Sequence, residues 1–261
     1  MAYNLLKGKR GIIFGALNEQ SIAWKAAVRA HEEGARLVLT NTPVALRLGT
    51  LNGLAEQTGA LLVPADASSV EDLQALVAKA QEHFGGKIDF VLHSVAMSMN
   101  LRKGRPYEAA NYDFFGKTLD ISALSFHKLL QVLYERDAMA EWGSVVAMTY
   151  IAAQRAFEGY NDMADAKALL ESICRSFGVI YGRRKRVRIN CVSQSPTLTT
   201  AGQGIAGMTE MFGKADAISP LGNASADDCA DYLVALFSDL TRHVTMQTLY
   251  HDGGYSMTGI I

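Results

Sequence analysis

The feature that most constrains the fold of this chain is the alternation of short apolar runs with segments of helical periodicity from end to end. An apolar run of four to eight residues is typical of a strand buried on both faces, and such strands belong to parallel sheets covered by helices. The alternation therefore predicts a doubly wound α/β fold, a parallel sheet with helices on both faces. The predicted strands lie at residues 11–14, 36–40, 61–63, 88–93, 143–148, 187–192 and 247–251. The predicted helices lie at residues 21–33, 43–58, 70–84, 119–134, 160–181 and 227–238.

Composition favours one domain in a reducing compartment. The chain has 261 residues, of which 49% are hydrophobic, and no Pro- or Ser-rich linker divides it, so we expect a single domain over 1–261. A net charge of −1 gives no general attraction to nucleic acid, and no apolar stretch has the length of a signal peptide or a membrane span. The three cysteines are far apart in sequence, which indicates reduced core residues of a cytoplasmic protein.

The loop at residues 15–23 follows the first predicted strand and opens the first helix. In doubly wound sheets, ligands bind beyond the carboxyl ends of the strands, and a helix N-terminus there attracts phosphate. Gly15 permits a tight turn, while Ser21 and Ala23 are small enough for backbone to approach a pyrophosphate. The alternative is an ordinary connection in which Ser21 caps the helix.

Tyr160 and Lys167 have six residues between them. In the predicted helix 160–181 this spacing is two turns, so both side chains leave the same face about 10 Å apart along the axis. A phenol that donates a hydrogen bond, with its pKa lowered by a nearby ammonium group, can stabilise a developing oxyanion. The alternative is a surface helix without function.

Three motifs together resemble a known family. They are a Gly-x5-Ser-Ile-Ala loop at Gly15, a His-Ser-x-Ala sequence at His93, and a Tyr-x9-Tyr-x6-Lys pattern from Tyr150 to Lys167. This combination resembles the enoyl-[acyl-carrier-protein] reductase branch of the short-chain dehydrogenase/reductase superfamily, over nearly the whole chain. Ordinary members of the superfamily have Tyr-x3-Lys, so the longer spacing favours enoyl reduction over carbonyl reduction.

The resemblance implies a Rossmann-type fold and the reduction of enoyl thioesters in bacterial fatty-acid synthesis. It implies that Tyr160 hydrogen-bonds the enolate oxygen, that Lys167 holds the nicotinamide ribose, and that Tyr150 lines the substrate site. A core aromatic is the alternative for Tyr150. The residues implied to contact substrate are Met97, Tyr150, Tyr160, Met163, Ala201 and Ile205.

The resemblance also implies a nicotinamide cofactor. Asp66 is expected to hydrogen-bond the adenine amino group, and Ser195 stands where the family has glycine. No arginine or lysine that could bind a 2′-phosphate follows the second strand before Arg47, so NADH is favoured over NADPH. The residues assigned to the cofactor are Gly15, Ser21, Ile22, Asp66, Ala67, Ser94, Val95, Ala96, Lys167, Pro196, Thr197 and Thr199.

The remaining expectations concern partners and surfaces. The resemblance implies an enoyl thioester on acyl carrier protein as substrate, a homotetramer, and a mobile substrate-binding segment near 197–214, for which an ordinary surface loop is the alternative.

The basic run 183–186 with Arg188 is interpreted as a solvated turn rather than a docking site for the carrier protein. Asp162 and Asp165 are interpreted as surface or interface residues, His93 and His251 as structural, and no spacing indicates a metal site.

Two other functions remain open. One is a short-chain carbonyl reductase of the same superfamily, against which the Tyr-x6-Lys spacing argues. The other is a non-catalytic NAD(P)-binding regulatory protein, which would not require Tyr160, Lys167 and a mobile loop together.

Overall fold

The computed structural model describes residues 2–47, 50–200 and 208–258. Its sheet has seven parallel strands in the order β3-β2-β1-β4-β5-β6-β7, which confirms the predicted doubly wound fold. The strands are β1 (Arg10–Phe14), β2 (Arg36–Thr40), β3 (Leu61–Leu62), β4 (Ile88–His93), β5 (Met139–Thr149), β6 (Arg188–Gln194) and β7 (Thr248–His251).

Helices cover both faces of the sheet because successive strand residues point to opposite sides. Ile12 and Val145 pack on one side, against the helices at residues 70–84, 125–135 and 162–185, whereas their neighbours Ile13 and Val146 pack on the other, against the helices at residues 22–32, 50–58 and 226–237. The described helices are α1 (Ile22–Glu32), α2 (Pro43–Arg47), α3 (Thr50–Thr58), α4 (Val70–Phe84), α5 (Met99–Arg102), α6 (Tyr112–Leu119), α7 (Ser125–Glu135), α8 (Asp162–Lys185), α9 (Met208–Ile218) and α10 (Ala226–Phe237). A π-helical turn occupies Asp120–Leu124, and 3₁₀ turns occupy Tyr107–Ala109, Ile151–Ala153, Asp239–Thr241 and Tyr255–Met257.

Three predicted helices have bounds that differ from the observed ones by more than one residue. The prediction for 43–58 corresponds to α2 and α3, and residues 48–49 between them lie outside the described residues. The helix predicted from residue 119 has helical turns from Tyr112 onward, because Asn111 caps α6 by accepting a hydrogen bond from the Phe114 N–H at 3.0 Å. The helix predicted from residue 160 starts at Asp162, so Tyr160 lies in the turn before it.

The sheet topology places the loops that follow β1, β4, β5 and β6 at one edge. The strand order reverses between β1 and β4, which is where ligands bind in sheets of this type. Among the described helices, none is long and apolar enough to cross a membrane.

Candidate active site

A cavity of about 200 Å³ opens beyond the carboxyl ends of β4, β5 and β6. The carboxyl-terminal halves of these three strands are buried, so polar side chains become accessible where the chain leaves the sheet. Most of the residues predicted for cofactor or substrate contact line this cavity: Ile22, Ala96, Met97, Tyr150, Tyr160, Met163, Lys167, Pro196, Thr197 and Thr199.

The other predicted residues lie elsewhere. Ala201 and Ile205 lie outside the described residues, as do all of residues 201–207 within the predicted mobile segment 197–214, and α9 forms the end of that segment. Those that do not line the cavity are Gly15, Ser21, Asp66, Ala67, Ser94 and Val95.

Sequence reasoning missed several residues of the cavity wall. Met148, Thr149, Gln194 and Ser195 end β5 and β6 or follow them, so their position after a strand was a usable signal. The sequence gives no comparable signal for the others. Two lining residues, Ser195 and Met211, lie in segments that were expected to contact cofactor or substrate but were not assigned contacts themselves. The lining residues outside those segments that were not predicted are Ser98, Leu101, Arg102, Met148, Thr149 and Gln194.

Lys167 extends from α8 into the cavity and is 5% exposed. Its Nζ donates a hydrogen bond to the Met148 carbonyl oxygen at 2.8 Å. Burial lowers the pKa of Lys167 from 10.5 to about 8, and the nearby Glu171 carboxylate partly opposes this. The group is thus a buried cation at neutral pH, anchored to the end of β5.

Tyr160 reaches the same cavity from the turn before α8. Asn161, which separates it from the helix, has φ 52° and ψ −147°, so the helix cannot continue back to Tyr160. The prediction that both side chains leave one helical face is therefore wrong, although both line the cavity. The predicted lowering of the phenol pKa by Lys167 is also wrong: burial raises the pKa of Tyr160. Its hydroxyl remains a hydrogen-bond donor at physiological pH.

Tyr150 fits both of its interpretations. It lines the cavity, and it is also a buried aromatic whose ring centroid lies 5.0 Å from that of Tyr160 and 5.4 Å from that of Phe157. Its hydroxyl contacts the Met211 sulfur at 3.6 Å, which links the cavity wall to α9. Burial raises the pKa of Tyr150, so this phenol also stays protonated.

The loop after β1 is closely packed. Gly15 has φ +90°, and a Cβ there would lie 2.0 Å from the Ser94 carbonyl oxygen, so only glycine fits between β1 and β4. The Ser21 hydroxyl accepts hydrogen bonds from the N–H groups of Leu17 and Asn18 and donates to the Asn18 carbonyl oxygen. Ser21 occupies the N-cap position, but its side chain stabilises the loop rather than the helix.

The loops after β2 and β3 carry polar anchors. Asn41 donates to the Ala16 carbonyl oxygen at 2.8 Å, which ties the end of β2 to the loop after β1. Asp66 accepts hydrogen bonds from the Ser68 N–H and hydroxyl, a turn in which its carboxylate already has two donors.

Ser195, which replaces the glycine of the family, has a structural contact. Its hydroxyl accepts a hydrogen bond from the Ala224 N–H at 2.9 Å, and the residue is buried. The polar side chain therefore joins the turn after β6 to the segment that precedes α10.

The histidines have the structural surroundings that were expected. His93 is buried with its Nε2 2.9 Å from the Ser125 hydroxyl, and burial together with the Lys167 charge lowers its pKa to about 3. His251 lies 2.7 Å from the Gln194 side-chain oxygen and stacks on Tyr232. Among the described residues, His, Cys, Asp and Glu side chains form no group that could hold a metal ion.

Two interpretations of charged residues were wrong. Asp162 is fully buried rather than at the surface, because Ser98, Asn100 and Thr118 supply hydrogen-bond donors to its carboxylate. Arg188 is 2% exposed and donates to backbone carbonyls around the end of α10, so it is a buried anchor and not part of a solvated turn. The three cysteines are buried and free, as predicted.

Comparison with known proteins agrees with the fold and the motifs. A family model described as Enoyl-(Acyl carrier protein) reductase matches residues 15–256. The chain is 35% identical over 258 residues to enoyl-[acyl-carrier-protein] reductase [NADH] 2 of Rhizobium meliloti, covering 98% of this chain and 94% of that protein. It is also 35% identical over 263 residues to enoyl-[acyl-carrier-protein] reductase [NADH] FabI of Rickettsia bellii, covering 99% and 98%.

A solved structure is closely similar over almost the whole chain. The crystal structure of the FabI–NADH complex from Alistipes finegoldii has a TM-score of 0.98 and 67% sequence identity, covering 99% of this chain and 91% of that one. Sequence motifs, sheet topology and these similarities agree, and the chain belongs to the enoyl-(acyl carrier protein) reductase family.

Proposed function

We propose that this protein is an NADH-dependent enoyl-[acyl-carrier-protein] reductase. The observation that carries the proposal is the cavity in which Tyr160, Tyr150 and Lys167 meet at the carboxyl end of the sheet. The names of the relatives, which describe NADH-dependent enoyl reductases, support the same reaction.

The described residues fit a dinucleotide. Gly15 starts the loop from β1 to α1 and packs against Ser94 at the end of β4, where the strand order reverses. The buried Lys167 ammonium faces the cavity, where it can donate to ribose hydroxyls. No lysine or arginine follows β2 before Arg47, which supports NADH over NADPH.

The chemistry divides between cofactor and protein. When bound, NADH supplies a hydride to the β-carbon of a trans-2-enoyl thioester. Negative charge then develops on the thioester oxygen, to which the Tyr160 hydroxyl donates a hydrogen bond. The Lys167 charge raises the local potential, and because the ammonium group is buried it acts more strongly there than in bulk solvent. Tyr150 helps to position the thioester, and Met97 and Met163 provide apolar contact for the acyl chain.

The position of Met163 argues against a carbonyl reductase. In the Tyr-x3-Lys arrangement of ordinary superfamily members, the tyrosine would stand four residues before Lys167, which is residue 163 here. Met163 lines the cavity, but a thioether cannot donate a proton to an alkoxide. Tyr160 approaches from the turn that precedes α8. This position suits a donor to the thioester oxygen, which lies farther from the hydride-accepting carbon than a carbonyl oxygen does.

The partners follow from this activity. We propose an acyl-carrier-protein-bound enoyl thioester as substrate, a cytoplasmic homotetramer as the working form, and a single domain over residues 1–261. Within it, the segment 197–214 would close over cofactor and acyl chain, supported by the contact between Tyr150 and Met211 on α9.

The test is the consumption of NADH and NADPH with a trans-2-enoyl thioester, beside the matched β-ketoacyl thioester. The proposal predicts oxidation of NADH with the enoyl substrate alone. Activity only with the ketone would assign a carbonyl reductase. Tight NADH binding without turnover of an enoyl thioester on its carrier protein would assign the regulatory alternative.

A further inference from the structure

Asp162 is a fully buried carboxylate at the first position of α8. The Ser98 hydroxyl donates to its Oδ1 at 2.6 Å, and the Asn100 amide donates to its Oδ2 at 2.8 Å. The Thr118 hydroxyl also lies 2.9 Å from Oδ2. Three side-chain donors thus converge on the two carboxylate oxygens at the N-terminal end of the helix.

The donors come from the wall of the cavity. Ser98 lines the cavity and caps α5 by accepting a hydrogen bond from the Leu101 N–H at 3.0 Å. Thr118 lies on α6, and Asn100 is bonded in both directions to the backbone of Asn111 at the start of α6. Asp162 therefore joins α5 and α6 to the helix that carries Lys167.

The same carboxylate lies next to a strained turn. Asn161 has a positive φ of 52° with ψ −147°, a conformation that residues other than glycine rarely adopt. Its side chain is held on both sides, since its oxygen accepts from the Asp162 N–H and its nitrogen donates to the Arg105 carbonyl oxygen. This turn presents Tyr160 to the cavity, so the bonds that hold Asp162 also hold the turn.

We propose that Asp162 is a positioning residue, which fixes the orientation of the Tyr160 hydroxyl by clamping the strained turn to α5 and α6. The proposal rests on the enoyl reductase function. It assigns to this acid a part in the reaction that does not require contact with substrate or cofactor.

A carboxylate is needed because its two oxygens face donors on both sides. Asn100 cannot reverse its amide, since Asn111 fixes both of its ends. In Asp162→Asn the amide oxygen must therefore face Asn100, which leaves the amide nitrogen facing Ser98. The Ser98 hydroxyl proton then loses its acceptor, and the clamp loosens at the end nearest the cavity.

The test compares Asp162→Asn with Asp165→Asn, which makes the same change three residues further along α8, where the Tyr107 hydroxyl lies 3.5 Å from the carboxylate. We expect kcat with an enoyl thioester to fall about 10- to 100-fold in Asp162→Asn, as for a displaced catalytic group, with the Kd for NADH unchanged. Asp165→Asn should retain the kcat of the natural protein.

A double-mutant cycle separates positioning from general damage. If Asp162 acts through the phenol, adding Asp162→Asn to Tyr160→Phe should have little further effect on kcat. An equal fold-decrease in both backgrounds, or an unchanged kcat in a folded Asp162→Asn variant, would overturn the proposal. If Asp162→Asn does not fold, Thr118→Val removes one donor, and its smaller effect on kcat should likewise vanish with Tyr160→Phe.

Amide hydrogen exchange tests the clamp without turnover, so its result does not depend on the enoyl reductase activity. Backbone amides of residues 160–163 should exchange with solvent faster in Asp162→Asn than in Asp165→Asn. Equal exchange in the two variants would refute the clamp even if the enoyl reductase activity is present. Faster exchange in a protein that reduces no enoyl thioester would refute the function and leave the clamp standing.

Discussion

Replacing Lys167 by methionine should make the protein more stable while abolishing its activity. Lys167 is 5% exposed, and burial lowers its pKa from 10.5 to about 8. At about 1.4 kcal/mol per pH unit, this difference corresponds to roughly 3 kcal/mol of destabilisation at neutral pH. Methionine keeps the length and apolar stem of the side chain, but the Met148 carbonyl oxygen loses a hydrogen bond worth about 1 kcal/mol. The net expectation is a gain of about 2 kcal/mol in the free energy of unfolding.

The stability difference between Lys167→Met and the natural protein should depend on pH. Below pH 8 the lysine is charged in both states, so the natural protein bears the full penalty. Between pH 8 and 10.5 the unfolded chain binds a proton that the folded protein does not, so the stability of the natural protein rises relative to the variant. The advantage of Lys167→Met should therefore be about 2 kcal/mol at pH 7 and should vanish near pH 9.5.

Urea unfolding at fixed protein concentration, at pH 7 and pH 9.5, measures both values. Lys117→Met is the matched control, because it removes the same charge from an exposed position on α6. A variant that is less stable than the natural protein at pH 7, or an advantage independent of pH, would refute the burial penalty assigned to Lys167.

Three further predictions concern the site. Tyr160→Phe should leave the Kd for NADH unchanged and lower kcat about 10²- to 10³-fold, as the loss of one oxyanion donor does. Steady-state kinetics and calorimetric NADH binding check this, and unchanged turnover would exclude Tyr160 as the donor. The value of kcat/KM for NADH should fall about tenfold per pH unit above pH 8 as Lys167 loses its proton, and a flat profile to pH 10 would contradict that assignment. Gly15→Ala should abolish NADH binding, because the new Cβ would lie 2.0 Å from the Ser94 carbonyl oxygen; a calorimetric titration that matches the natural protein would contradict this packing.

Much of the fold could be predicted because its signals are local. Strands buried on both faces produce continuous apolar runs, and α4 was predicted with the bounds it has, since Ser69 caps its start and Gly85 ends it at φ 65°. The start of α8 was misplaced because the helical pattern of residues extends two residues too far. The positive φ of Asn161, which stops it, depends on a contact with the distant Arg105.

The candidate site was predictable only in part, for the same reason. Tyr150 directly follows β5, Tyr160 lies in the turn before α8, and Lys167 lies on α8, so their meeting follows from topology. The burial of Asp162 does not, because its donors at Ser98, Asn100 and Thr118 precede it by 44 to 64 residues. An acid in a helical pattern is most often exposed, and only tertiary contacts can reverse that expectation.

An enoyl reductase transfers hydride to the β-carbon of an enoyl thioester. A single turnover with NADH deuterated at the transferred position of nicotinamide C4, followed by mass spectrometry and NMR of the product, locates the transferred atom. We expect one deuterium on the β-carbon and one solvent-derived hydrogen on the α-carbon of a saturated thioester. Deuterium on the carbinol carbon of a hydroxyacyl product, formed from the matched ketone while the enoyl substrate is returned unchanged, would contradict it.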